Sequence, residues 1–79
     1  MKKMTVNDVT ARLLMKQKFV VIEGETKSPV INQLCRVTTI HDFEDKGIWR
    51  IIGKRVVHSM VAKDDVLYIY VESEGEQYG

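Results

Sequence analysis

With 79 residues, 44% of them hydrophobic, the chain has the material for one small core but not the length for a deep enclosed site. Lys and Arg number 12 against 11 Asp and Glu, a net charge of +1, short of the strongly basic balance of a dedicated nucleic-acid binder. The charge is uneven: every basic residue lies at or before Lys63, while Glu72, Glu74 and Glu76 fall at the end, leaving 12 basic against 8 acidic residues ahead of position 72.

The first expected element is a helix over 6–16. Thr5 can cap it, with Asp8 three residues on, a capping-box spacing in which Asp replaces the usual Glu. Met4 and Val9 hold the positions of a hydrophobic staple. Val6, Val9, Thr10, Leu13 and Leu14 fall on one face, and Asp8, Arg12 and Lys16 follow each other at i, i+4 spacing. So short a helix is marginal in isolation, so its apolar stripe must dock, by default on the protein's own sheet.

Strand-like runs follow. "KFVVI" (18–22) is β-branched and ends near Gly24, and "GETKSP" (24–29) reads as a loop. "VINQLC" (30–35) fits either a strand or a helix started at Ser28-Pro29. "CRVTTIHDF" (35–43) reads as a strand, and "EDKG" (44–47) as a type I turn closed by Gly47 in a left-handed conformation. "IWRII" (48–52) and "RVVHSMV" (55–61) flank Gly53-Lys54, which suits a type II′ hairpin turn. "AKDD" (62–65) turns again, and "VLYIYVE" (66–72) alternates cleanly.

The expectation is an α+β fold of one domain, 1–79, with 72–79 a frayed acidic tail. An N-terminal helix precedes a five-stranded antiparallel β-meander, because short turns cannot make parallel crossovers. Five strands of this size can curl into a partly open SH3-like small barrel. The turns then set Trp49 opposite His58 and Ile51 opposite Val56, with Val61 opposite Val66. One face collects Trp49, Ile51, Val56, His58, Met60, Leu67, Ile69 and Val71 as core. The other collects Arg50, Val57 and Tyr70 in one row, with Arg55 and Tyr68 beside them. Whether the helix covers the core face or the Tyr/Arg face is open.

No catalytic or metal-binding pattern stands out. Cys35, His41 and His58 lack the paired short spacings of zinc sites, and Cys35 with His41 lacks any nucleophile signature. Gly53-Lys54 has no glycine-rich phosphate loop before it. A lone Cys35 is the usage of a reducing compartment, and no apolar run has the length of a membrane span, so a cytoplasmic protein with no membrane partner and no cofactor is expected. The functional expectation is a small non-catalytic protein-binding module, a regulator or inhibitor that occupies a partner protein's surface. Its binding face would be Arg50, Arg55, Tyr68, Tyr70, Lys54 and Lys46, types enriched at interfaces. The alternative is a single-stranded nucleic-acid-binding module, with the basic residues on phosphates and the tyrosines as stacking platforms. Homo-oligomerisation is compatible with either.

Overall fold

A computed structural model describes residues 3–24 and 32–72. Along the chain run α1 (Val6–Thr10), β1 (Lys18–Glu23), β2 (Asn32–Gln33), α2 (Ile40–Asp45), α3 (Ile48–Ile52), β3 (Val57–Lys63) and β4 (Val66–Val71). The sheet is open and mixed, in the order β2-β1-β4-β3. The small α+β class holds, but the five-stranded antiparallel meander and its barrel closure do not. Three full strands and a two-residue fourth form the sheet, and β1 runs parallel to β4, from Lys18 opposite Val66 to Glu23 opposite Val71.

Helix α1 starts as its sequence dictates. The Thr5 hydroxyl accepts from the Asp8 amide at 3.3 Å, and the Asp8 carboxylate accepts from the Thr5 amide at 2.9 Å. The helix stops at Thr10 instead of reaching position 16. Beyond it the bonds tighten to i→i−3, from Arg12 to Val9 and from Leu13 to Thr10, and the chain turns to bring Lys18 alongside β4. Leu14 and Met15 are left exposed on that turn.

The largest correction concerns 35–52. Thr38 makes a single antiparallel bridge to Phe19, and then α2 and α3 form where two strands were expected. Gly47 does adopt the left-handed conformation (φ 69°), but it joins two helices instead of two strands. Gly53 takes an ordinary right-handed φ of −63° as the end of α3, so no type II′ hairpin exists there. Helical spacing decides burial: α2 buries Ile40 and Phe43, three apart, while α3 buries Ile52 and half-buries Ile48, four apart.

The core lies between one sheet face and the three helices. Phe19, Val21, Ile69 and Val71 meet Val6, Val9, Ile40, Phe43 and Ile52, with Phe19 and Phe43 edge to face at 5.2 Å. Of the expected core, Ile69 and Val71 are buried and Leu67, Val56 are half-buried. Trp49, Ile51, His58 and Met60 are exposed. The closing hairpin turns on Asp64-Asp65, both at positive φ, so Lys63 rather than Val61 faces Val66. This two-residue shift leaves the alternation of faces unchanged as far as Ser59. An irregularity between Val57 and Ser59 then puts Val57 opposite Val71, on the core side. The "GETKSP" loop beyond Gly24, the start of "VINQLC" and the acidic tail beyond Glu72 lie outside the described residues.

Candidate functional site

The single face joining Arg50 to the tyrosines does not form, because Arg50 sits on a helix and the tyrosines on a strand. Tyr68 and Tyr70 are half-buried on the sheet face turned away from the helices, in register with Val20 and Ile22 of β1 and with Val61 and Ser59 of β3. His58 lies beside Tyr70 and bonds through Nε2 to the Gly24 carbonyl. Arg55 is engaged in the fold: its guanidinium pairs with the Glu23 carboxylate and donates to the Glu72 carbonyl at 2.9 Å, with 11% of its side chain exposed. That pairing ties the entry of β3 to the ends of β1 and β4. Lys46 and Lys54 are exposed at the ends of α2 and α3.

A different surface emerges on the helix side. The segment 34–38, held beside β1 by bonds from Leu34 to Val21 and between Thr38 and Phe19, forms one wall. Helices α2 and α3 form the other, and a groove of about 370 Å³ runs between them. Val37 and Ile48 stand in it with Ile51, whose 78% exposure makes it the outermost apolar residue of α3. Arg36 and Lys46 border it, with Asp42 the one acidic residue among those lining it. On the next turn of surface the Arg50 guanidinium lies 5.1 Å from the centroid of Trp49, itself 39% exposed. Trp49 also walls a second hollow of about 340 Å³ with Asn7, Thr10, Ala11, Phe43 and Glu44.

This exposure follows from "IWRII" being a helix. The helix buries Ile52 and half-buries Ile48, and it leaves Trp49, Arg50 and Ile51 exposed. Reading the same letters as a strand sends Trp49 and Ile51 to the core. Five residues between Gly47 and Gly53 suffice for a short strand as well as for a turn of helix, so no local signal separated the two.

Apolar side chains predominate in the lining of the groove. Cys35 is its one thiol, and burial pushes its pKa upward, only partly offset by a hydrogen bond with the Val21 backbone, so it stays a neutral thiol. Among the described residues, no three His, Cys, Asp or Glu side chains gather to hold a metal ion, and no helix is long and apolar enough to cross a membrane. No family model, curated protein or solved structure matches the chain.

Proposed function

We propose that the protein is a small non-catalytic protein-binding module of the cytoplasm, a regulator or inhibitor that occupies a partner's surface through the groove between 34–38 and α3. One observation carries this reading. Helix α3 spends four of its five residues on Ile and Trp yet buries only Ile52, so the fold itself does not account for Trp49 and Ile51. Clustered apolar exposure with a polar border is the composition of interface centres. Arg36 and Lys46 at the border, and Arg50 beside it, favour a partner segment whose apolar residues are flanked by acidic ones.

The test is capture from nuclease-treated lysate by the wild type, Ile51→Asp and Val37→Asp. The expected result is one protein retained by the wild type, lost with both variants, and released only gradually by salt. Retention of that protein by both variants would remove the groove from consideration.

The nucleic-acid reading keeps one observation of its own, the side-by-side Tyr68 and Tyr70 on the sheet face, with Lys18 and Lys63 in the row beyond them. It predicts binding to a short single strand with a steep logarithmic salt dependence, lost on Tyr68→Ala.

A further inference from the structure

Strand β3 stands at the edge of the sheet, and the described residues cover only part of that edge. Its entry is closed by the N-terminal segment: Thr5 bridges Val56, and the Val57 amide donates to the Met4 carbonyl at 2.8 Å. From His58 to Lys63, nothing among the described residues pairs with the outer side. The hairpin geometry says which backbone groups face outward. With a two-residue turn at Asp64-Asp65, Lys63, Val61 and Ser59 exchange bonds with β4, so Met60 and Ala62 direct their N–H and C=O groups away from the sheet. The same stretch exposes apolar side chains on both faces, Met60 on the helix side and Val61 on the tyrosine side, each 44% exposed. Between His58 and Lys63 there is neither a charge nor a proline to discourage pairing.

We propose that this edge pairs with a second copy of the same chain, β3 against β3 antiparallel about a twofold axis through Val61. The outward-facing residues must bond to each other, which sets Met60 opposite Ala62 of the second copy and brings the two Val61 side chains together in a non-hydrogen-bonded pair, the closest kind. In this register Lys63 meets Ser59 and the acidic turn residue Asp64 meets His58, so no like charges oppose. Each exposed apolar side chain gains an apolar neighbour on its own face, and the two sheets become one continuous sheet. The match of the strand to itself favours a second copy over a foreign strand, since a twofold axis satisfies every outward group of both edges at once. The groove on the helix side takes no part, so this association is independent of the proposed partner site.

The test is sedimentation equilibrium of the full chain from about 10 µM to about 1 mM, the range in which an interface of this small size associates. The mass is expected to rise from 9.1 kDa towards twice that value. Val61→Lys and Val61→Glu, at a position half open in the single chain, should each keep the wild-type melting temperature and remain monomeric. An equimolar mixture of the two should recover the dimer, because opposite charges then meet at the axis. Amide exchange on the wild type supplies a readout without substitution: the Met60 and Ala62 amides should slow as concentration rises, while those of Ser59 and Val61, already bonded to β4, should not. A wild type that stays monomeric, concentration-independent exchange at Met60 and Ala62, or a dimer indifferent to Val61→Lys but broken by Ile51→Asp would each overturn the proposal.

Discussion

Ile51 and Ile69 are the same residue type in opposite environments, and replacing each with Ala gives a direct test of the fold. Ile69 is 0% exposed at the centre of β4, against the helices. Truncating it removes three carbons from packed surroundings, a change that costs about 2–5 kcal/mol once the residual cavity is included. A domain of this length has a total stability of about 4–12 kcal/mol, so the loss is a large share of it. Ile51 is 78% exposed, leaving little buried area to lose, and its replacement should stay within about 0.5 kcal/mol. Urea midpoints followed by far-UV circular dichroism would measure both. Trp49 fluorescence is the poorer probe, since its ring is already partly in water in the folded state. If Ile51→Ala proved as damaging as Ile69→Ala with an unchanged m-value, the outward face of α3 would be buried and the helical assignment of 48–52 would fail.

The two glycines bracketing α3 should respond to Ala for different reasons. At Gly47, open space surrounds the missing side chain but φ is 69°, so Gly47→Ala should cost about 1–2 kcal/mol through backbone strain alone, with Gly47→Asn milder. At Gly53 the conformation is ordinary, yet an added Cβ would collide with the Trp49 carbonyl and the Asn7 side chain, so Gly53→Ala should cost about 1–3 kcal/mol or more and separate α1 from α3. Thermal melts that rank Gly53→Asn no worse than Gly47→Asn would contradict this division. Arg55→Ala removes the ion pair with the part-buried Glu23 and the donor to the Glu72 carbonyl and should cost about 1–3 kcal/mol, with Glu23→Gln, Arg55→Met recovering part of it as a double variant. Equal losses for Arg55→Ala and the double variant would show that the pair is not what holds the entry of β3.

Local signals in the sequence were legible. The Thr5–Asp8 capping box, the β1 and β4 runs, the left-handed Gly47 and the turn at Asp64-Asp65 each depend on a few neighbouring residues and all appear in the structure. What failed was inference from residue type to element where packing overrules propensity. Thr38, Thr39, Ile40, Ile51 and Ile52 are β-branched and favour strands weakly, but burying Ile40, Phe43 and Ile52 over the sheet outweighs that preference. A strand over 48–52 puts Trp49 and Ile51 on the core side and leaves no groove. The β1–β4 pairing left no local trace either, because nothing in "KFVVI" specifies which distant strand lies beside it. A continuous apolar run buried on both faces is the pattern of a central strand, and Val20 and Ile22 at 1% and 5% exposure show β1 to be one.

That pairing also sets how the core can be assembled. Lys18 waits for Val66, 48 positions later, and closing so long a segment costs about 3 kcal/mol of chain entropy beyond a fixed term before any contact is gained. Without β4, β1 has among the described residues only the two residues of β2 and the Thr38 bridge as partners, and Phe19 and Val21 lack Leu67 and Ile69 alongside them. The core therefore closes only when two segments far apart in the chain meet, since Phe19 and Val21 on β1 and Leu67 and Ile69 on β4 each complete the other's face. Such a topology folds slowly for its size and depends on β4 being complete. Losing β4 would not trim the protein; it would part β1 from β3 and take Ile69 and Val71 out of the core.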